Sequence, residues 1–237
     1  MDFLKQLEKD YDEYVIQCRC AMRIALAEIE NIKDQIDGNS PDDIKSNGSR
    51  VFDNIESRIK TFDSALEKCR RKNYNKVKRN LKKATELTKD DFDIDTIKSR
   101  MQDVAGIRIT TVFLDDIYKI YEEIKKSNSL VVSHEDDYIV KPKKNGYRSL
   151  HIVLMVKIST KDGAKLIPVE VQIRDKAMDL WAAMDHVIRY KNPHPSPDAE
   201  RRFLEIADTL QNFDRSVIEL RDFDGDNLVT FSPKSPD

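Results

Sequence analysis

The sequence has no long apolar run, few cysteines and no excess of either charge, and each absence excludes a class of protein. No stretch approaches the ~18 consecutive apolar residues of a membrane-spanning helix, so no membrane partner is expected. Lysine and arginine total 41 and aspartate and glutamate 43, so electrostatic attraction to a ligand must come from a local cluster. The 237 residues are enough for one domain with a sizeable core and helical additions.

The cysteines and the first residues of the chain bear on its compartment. Cys18, Cys20 and Cys69 lack the spacing of a metal site, and the first two lie too close together for an easy disulfide within one helix. Such a set is typical of a reducing compartment. Residues 1–5 run straight into charged side chains without the apolar core of a signal peptide. We therefore expect a cytoplasmic protein.

Long amphipathic helices are predicted at both ends of the chain. Residues 1–37 form the first, because apolar side chains recur at steps of three and four, and the Asp37–Pro41 segment ends it before a polar linker. Residues 198–222 form the second, which Asp198 caps after a proline-rich break. Its apolar residues keep the same spacing and could join copies of the chain: Phe203, Ile206, Leu210, Phe213, Val217 and Leu220. Residues 223–237 are expected to be a flexible tail.

The region between these helices, residues 50–192, alternates between strand and helix patterns. The predicted order is a strand at 51–60, a helix from Thr61 or Asp63 to about Lys72, a short helix at 95–102, a strand at 104–114, a helix capped by Asp115 or Asp116, a short strand near 130–132, a loop at 133–144, a hairpin and a helix at 176–191. At 51–60 the strand is preferred over a helix because it places Arg58 and Lys60 together on one face. This order predicts an α/β (α+β) fold with a mixed β-sheet flanked by helices.

The predicted hairpin and the residues before it are the most informative part of the sequence. Its strands, residues 152–158 and 166–174, are joined by an Asp-Gly turn. The second strand alternates between an apolar face and a polar face that holds Glu170, Gln172 and Arg174. Just before the hairpin come a lysine, a tyrosine expected to be exposed, an arginine and a histidine: Lys143, Tyr147, Arg148 and His151. An aromatic ring, cations and a carboxylate together suit a nucleotide.

Two carboxylates, Asp103 and Glu170, are predicted on neighbouring strands of this sheet. Such a pair can hold Mg²⁺ against phosphate oxygens, and one member can also accept a proton from an attacking hydroxyl. The alternative, that both are ordinary strand-end carboxylates, stays open. Strict alternation puts Asp103 on the face opposite Arg108. Either Asp103 precedes the regular strand or Gly106 marks a bulge.

A local basic patch spans residues 68–83, which contain nine lysines and arginines. Its distal half is expected to be a solvated surface. Lys68 and Arg71, nearest the predicted site, are better candidates to bind a triphosphate, together with Lys60 and Ser64.

In this combination the residues resemble the synthetase domain of the RelA/SpoT-type alarmone synthetases, in its small single-domain form. Five segments carry the resemblance in the order of that family: 58–68, 103–109, 137–151, 170–174 and 178–191. The resemblance implies a nucleotidyltransferase-like fold. It also implies transfer of the β,γ-pyrophosphate of ATP to the 3′-hydroxyl of GDP or GTP, giving AMP and the stringent-response alarmone ppGpp or pppGpp. In this reaction the protein mainly positions its substrates and neutralises charge.

The resemblance also assigns roles to the candidate residues. Arg58 and Arg108 sandwich adenine, and the donor phosphates are held by Lys60, Ser64, Lys68 and Arg71. Asp103 and Glu170 bind Mg²⁺, and Glu170 is also the base for the acceptor hydroxyl. Tyr147 stacks on guanine, and the rest of the acceptor site consists of Lys143, Arg148, His151, Gln172, Arg174 and Asp179.

Asp179 departs from the asparagine that small members of the family often carry, so the resemblance does not by itself decide the acceptor. A toxin-like pyrophosphokinase that acts on the tRNA 3′ end is therefore an alternative, and the basic patch would suit an RNA partner. A non-catalytic nucleotide- or RNA-binding regulator is the second alternative. The scattered histidines offer no metal pair for a hydrolase, so synthesis without hydrolysis is expected. Small relatives are commonly tetramers, which favours a homo-oligomer built through the C-terminal helix.

Overall fold

A five-stranded mixed sheet forms the centre of the computed structural model, which describes residues 2–38, 50–77, 93–191 and 195–223. The elements, in chain order, are α1 Asp2–Gly38, β1 Phe52–Ile59, α2 Phe62–Val77, α3 Ile94–Arg100, β2 Ala105–Thr111, α4 Asp116–Lys126, β3 Val131–Asp137, β4 Leu150–Thr160, β5 Gly163–Asp175, α5 Lys176–Lys191 and α6 Pro197–Arg221. No helix in the described part of the chain is long and apolar enough to cross a membrane. The predicted linker after α1 and nearly all of the predicted tail lie outside the described residues.

The strands lie in the order β1-β2-β5-β4-β3. Neighbouring strands are antiparallel except β2 and β5, which run parallel in the middle of the sheet. The parallel pair requires a long crossover, which α4, β3 and β4 provide between the two strands. The predicted mixed sheet with helices at both termini is thereby confirmed.

Alternation along the strands gives the sheet one apolar and one polar face. On β5, Val169, Val171 and Ile173 are fully buried, as the sequence pattern predicted. They pack in one core with the apolar stripe of α1, including Tyr11 and Ile29. Burying a side chain of this size stabilises the fold by about 1.5–3 kcal/mol. Because α1 covers the apolar face, the polar side chains of the same strands are left on the opposite face.

A second, smaller cluster lies where α5 and α6 meet the segment before β4. Its buried members are Tyr147, Met178, Trp181, Phe203 and Ala207. The indole N–H of Trp181 donates to the carbonyl of Phe203 over 3.3 Å. The C-terminal helix therefore packs on its own chain through one of its faces.

Three predicted boundaries or caps are wrong. β3 extends to Asp137, because residues expected in a loop pair in register with β4 as far as Asp137 opposite Leu150. Ser196, not Asp198, caps α6: its side chain accepts from the N–H of Ala199 and Pro197 occupies the first turn.

The third is the capping role of Asp115, which occupies the N-cap position of α4 as predicted but makes no side-chain capping hydrogen bond. Its two carboxylate oxygens instead accept from Arg221, at 2.9 and 3.0 Å. Thr61, one of the two predicted caps of α2, does accept from the N–H of Ser64, at 3.4 Å.

Candidate active site

The strand register brings the predicted residues into two rows across the polar face. Glu170 of β5 lies opposite Gly106 of β2, and Gln172 lies opposite both Arg108 of β2 and His151 of β4. Residues opposite each other on neighbouring strands point to the same face. Four separate strand segments thus contribute to one continuous polar surface.

Arg58 and Arg108 flank a narrow cleft on this surface. Arg58 lies opposite Gly106 on the adjacent strand, and Arg108 follows two residues later on the same face. The cleft has a volume of about 60 Å³ and is lined by Glu56, Ser57, Arg58, Asp103, Gly106, Ile107, Arg108, Glu170 and Gln172. Since Gly106 has no side chain, the space between the two arginines stays open.

Asp103 reaches this cleft because it precedes β2. The strand begins at Ala105, and its pairing with β1 is regular through Gly106. Of the two explanations that the sequence left open, the structure therefore supports a position before the strand and not a bulge.

Two lysines neutralise Asp103. Lys60, just after β1, and Lys68, on α2, both form ion pairs with Oδ2 of Asp103. Burial alone would raise the pKa of this carboxyl, but the hydrogen bonds from the two lysines hold the pKa below its usual range. The other oxygen, Oδ1, is buried and has no hydrogen-bond partner.

Glu170 is held by its neighbours on the polar face. Its Oε1 lies 3.5 Å from Nδ1 of His151, and its Oε2 accepts from Nε2 of Gln172 over 2.7 Å. Burial would raise the pKa of Glu170, but these contacts lower it on balance. The carboxylate is therefore ionised at neutral pH and is fixed in orientation.

The donor set around these carboxylates fits a magnesium ion that is completed by substrate. Within the described residues, no group of three or more His, Cys, Asp or Glu side chains could hold a metal by itself. Mg²⁺ usually takes one or two carboxylates and fills its remaining positions with water and phosphate oxygens. Asp103 and Glu170 line the same cleft, and the unpartnered Oδ1 of Asp103 is available as a ligand.

An aromatic group surrounds Lys143 at the other end of the polar face. The ammonium of Lys143 lies 4.1 Å from the ring centre of Tyr138 and 4.9 Å from that of Tyr147. The hydroxyl of Tyr147 lies 3.2 Å from Nε2 of His151. Because Tyr147 also packs against Trp181, it is only 9% exposed, and the expectation of an exposed ring is wrong.

Tyr138 belongs to this group, although no role is predicted for it from the sequence. Its ring packs edge-on against His151 with centres 5.1 Å apart, and its hydroxyl donates to Asp136 over 3.1 Å. The sequence contains one signal for Tyr138: it is an aromatic residue that lies five residues before Lys143, directly after β3. This signal points to the site only through the pairing of β3 with β4, which places Tyr138 beside His151.

Asp179 and Arg174 form a charged group at the carboxyl end of β5. Arg174 is buried and forms an ion pair with Asp179 in the first turn of α5. Arg108 lies 4.0 Å from the same carboxylate oxygen and 3.2 Å from Glu56. Asp179 therefore links the β2 side of the site to β5.

The structure gives the remaining predicted residues different surroundings. Ser64 is exposed, and its hydroxyl accepts a hydrogen bond from the hydroxyl of Thr61. The side chain of Arg71 lies outside the described residues. Arg148 is buried, and its guanidinium donates to Asp208 of α6 at 3.0 Å and to two backbone carbonyls. Its observed contacts are thus with the C-terminal helix, not with the open part of the polar face where the sequence predicted it.

Two larger clefts, each of about 490 Å³, lie elsewhere on the chain. One lies between the end of α1 and α4, and the other lies between α1, α3 and the β4–β5 hairpin. Neither is lined by any of the predicted site residues.

Comparison with known proteins gives relatives that all belong to one family. Residues 57–195 match the family described as "Region found in RelA / SpoT proteins". The chain is 32% identical over 167 residues to GTP pyrophosphokinase YwaC of Bacillus subtilis, an overlap that covers 69% of this chain and 72% of that protein. It is 28% identical over 231 residues to GTP pyrophosphokinase YjbM of the same organism, covering 96% of each.

The fold also matches a solved structure over nearly its full length. That structure is the small alarmone synthetase 1 of Bacillus subtilis bound to its product pppGpp. It superposes with a TM-score of 0.73 and 27% identity, covering 90% of this chain and 97% of the other.

Proposed function

The chain belongs to the RelA/SpoT family, and from this membership we propose that it is a GTP pyrophosphokinase that makes the alarmone ppGpp or pppGpp. The observation that carries the proposal is the match to YjbM over 96% of both chains, together with a site that holds two carboxylates and their lysines on one sheet face. The donor is ATP and the acceptor is GDP or GTP.

In the proposed reaction, the 3′-oxygen of the acceptor attacks the β-phosphorus of ATP. The bond from that phosphorus to the oxygen bridging the α- and β-phosphates breaks, and AMP leaves with the electron pair. Glu170, ionised and held by His151 and Gln172, takes the proton of the attacking hydroxyl. Because the protein forms no covalent bond to the substrate, its contribution is alignment and charge neutralisation.

The cleft between Arg58 and Arg108 is the proposed adenine site. Arg58 and Arg108 both line this cleft, and planar guanidinium groups can stack on a base. Lys60 and Lys68 point to a common position at Asp103, where the phosphates of the donor would exchange for part of the ion pairing. Ser64 and Arg71 stay proposed phosphate ligands on the same helix as Lys68.

Asp103 and Glu170 are the proposed ligands of Mg²⁺. When bound, the ion would neutralise phosphate charge and polarise a phosphoryl oxygen of the group that is transferred. The two lysines at Asp103 neutralise the carboxylate before metal and nucleotide arrive. Their ammonium groups are then well placed to turn toward the phosphates.

The acceptor side is assigned to the aromatic group and its neighbours. Tyr147 would stack on guanine after Lys143 leaves the face of its ring, and Lys143 and His151 would then meet ribose and phosphate. Gln172, Arg174 and Asp179 would form the wall beside the base. The ion pair between Arg174 and Asp179 leaves that carboxylate able to accept from guanine N–H donors.

We propose a homo-oligomer, with a tetramer favoured, built through the outer face of α6. The predicted apolar seam divides in the structure: Phe203 is buried in the chain itself, whereas Ile206, Phe213 and Leu220 are exposed. These three repeat every seven residues and lie on one stripe. Exposed apolar residues at this spacing favour burial against a second helix.

Neither alternative, a pyrophosphokinase that acts on the tRNA 3′ end or a non-catalytic nucleotide- or RNA-binding regulator, is supported by the relatives described above, which are named for GTP or for pppGpp. Synthesis without hydrolysis stays a prediction. A cytoplasmic location stays a proposal, which rests on the small number and the spacing of the cysteines in the sequence.

An assay with ATP labelled in the β,γ-phosphates tests the function. The purified chain with Mg²⁺ is offered GDP, GTP or tRNA in parallel reactions, and the labelled products are separated. We expect label in ppGpp or pppGpp and none in tRNA. Label in tRNA alone, or in no product, would overturn the proposal.

A further inference from the structure

The C-terminal helix α6 contacts the segment that carries the proposed guanine-stacking tyrosine. Gly146 has a φ of +86°, a conformation that favours glycine. A Cβ at this position would lie 2.6 Å from Cβ of Ala207 and 3.4 Å from a methyl carbon of Leu204, both on α6. The helix therefore lies directly against the backbone that precedes Tyr147.

Arg148 joins the same segment to α6. One guanidinium nitrogen donates to the carbonyls of Gly146, at 3.2 Å, and Ala207, at 3.3 Å. The other donates to the Asp208 carboxylate at 3.0 Å. The residue is only 9% exposed. A rigid, planar fork with bonds to both sides fixes the distance between the segment and the helix.

A chain of aromatic contacts provides a second connection. Tyr147 packs on Trp181 with ring centres 6.1 Å apart, and Trp181 packs edge-on against Phe203 of α6 at 6.2 Å. The ring of Tyr147 thus rests on a layer that includes α6. Displacement of the helix would remove the support of that ring.

The far end of α6 is fixed independently. Arg221 binds Asp115, in front of α4, through two hydrogen bonds and lies 4.6 Å over the ring of Phe113. A helix that is attached at both ends can hold a loop in place. This helix lies wholly beyond residue 195, where the family match ends.

We infer that α6 supports the acceptor site and that Arg148 is a positioning residue. By binding α6, Arg148 holds the ring of Tyr147 in place, and it does not itself touch the nucleotide. The inference rests on the proposed function, because it assigns Tyr147 to the guanine base. A displacement of about 1 Å at a substrate-positioning group can lower a rate about 100-fold. A loosened Tyr147 should therefore weaken acceptor binding and leave the donor side unchanged.

The test compares Arg148→Ala, Asp208→Ala and the control Arg202→Ala, an exposed arginine on the same helix. Arg148→Ala should raise the KM for GDP about tenfold and change the KM for ATP less than about twofold. Asp208→Ala should raise the KM for GDP about threefold, because a partly exposed ion pair contributes modestly. The control should behave as wild type.

Trp181, the only tryptophan in the sequence, gives a readout that does not depend on turnover. It is fully buried between Tyr147 and Phe203, so its emission in Arg148→Ala should shift to longer wavelength as water enters. A similar rise in both KM values, or a GDP KM that is unchanged in both variants, would overturn the inference.

Asp208→Ala decides the case if Arg148→Ala does not fold, because Asp208 is a 68% exposed side chain that no nucleotide contact requires. An unchanged GDP KM in that variant means that α6 does not support the site. If wild-type protein makes no labelled guanine product, the proposed function fails instead. The emission shift then still tests whether Arg148 holds the cluster together.

Discussion

Lys60 and Asp103 form an ion pair that joins the end of β1 to the segment that leads into β2. The backbone strengthens the connection, because the N–H of Lys60 donates to the carbonyl of Val104 over 2.9 Å. The carbonyl of Lys60 in turn accepts from the buried hydroxyl of Tyr11 on α1, over 2.7 Å. Lys60, a proposed ligand of the ATP phosphates, is thus positioned in part by α1, which is far from it in the sequence.

The carboxylates at this site should be essential. Asp103→Asn and Glu170→Gln should each lower kcat by about 10²–10³, because each variant removes a charge that the transition state uses. Initial-rate assays with saturating substrates provide the measurement. Asp162→Asn, at the exposed tip of the β4–β5 hairpin, is the control and should keep wild-type activity. Near-normal turnover in either site variant would contradict the metal and base assignment.

Replacement of Tyr147 should affect the binding of the acceptor nucleotide alone. Stacking on a base contributes roughly 1–3 kcal/mol, so Tyr147→Ala should raise the KM for GDP or GTP strongly and leave that for ATP nearly unchanged. Tyr147→Phe keeps the ring and loses only the contact with His151, and its KM values should stay close to wild type. Equal losses for both substrates in Tyr147→Ala would mean that the ring is purely structural.

Tyr138 should position Lys143 through its ring. A cation–π contact contributes about 0.5–1 kcal/mol at an exposed site, so Tyr138→Leu should raise the acceptor KM about two- to fivefold. Tyr138→Phe should restore it, because the ring face is kept. Lys125→Met removes a comparable contact with Tyr121 away from the site and should have no effect on KM. If Tyr138→Phe is as impaired as Tyr138→Leu, the hydroxyl and not the ring is responsible.

Asp214 should make the stability of the fold depend on pH. Burial, together with the nearby carboxylate of Asp175, raises the pKa of Asp214 to about 7, and Arg148 opposes this only in part. An unfolded aspartate has a pKa near 3.9. The native state therefore binds this proton more tightly, and the stability present below about pH 4 is lost as the pH rises to about 7.

Asp214→Asn, which stays neutral, should for this reason melt roughly 3–10 °C higher than wild type at pH 8 and by a smaller margin at pH 5. Thermal unfolding at several pH values provides the measurement. Glu219→Gln, an exposed change on the same helix, is the matched control. A difference between Asp214→Asn and wild type that does not vary with pH would rule out this titration.

The outer stripe of α6 should join copies of the chain. Light scattering should give a mass that is a multiple of 27.6 kDa for wild type and a smaller mass for Ile206→Glu combined with Phe213→Glu. Both side chains are exposed, so the substitutions should leave the fold intact. A wild-type monomer, or a double variant with unchanged mass, would exclude this interface. Arg202→Glu on another part of the helix is the control.

Most helices and strands could be predicted because local periodicity decides them. The choice of a strand at β1 is confirmed. The two faces of β5 are also confirmed, since from Ile167 to Ile173 the alternation in the sequence is also the alternation of burial. The length of β3 could not be predicted, because residues 133–137 are mostly polar and form a strand only through pairing with β4.

The site was less predictable than the fold for a similar reason. Asp103 and Glu170 are brought together by the pairing of β2 with β5, and the sequence did predict these two carboxylates on neighbouring strands. The family resemblance assigns Arg148 to the acceptor site together with Tyr147, but neighbours in a short segment can point to different sides. Its partner, Asp208, lies on a helix whose packing no local pattern reveals.

The close approach of Gly146 and Ala207 has an evolutionary consequence. A single methyl group at position 146 would overlap the methyl of Ala207. A larger residue therefore cannot replace either one unless the other side of the contact also changes. A relative that carries a bulky residue at one of them must compensate by moving the helix or by reshaping the loop. Substitution rates at these two positions, which are distant in the sequence, should therefore be slow and correlated across related chains.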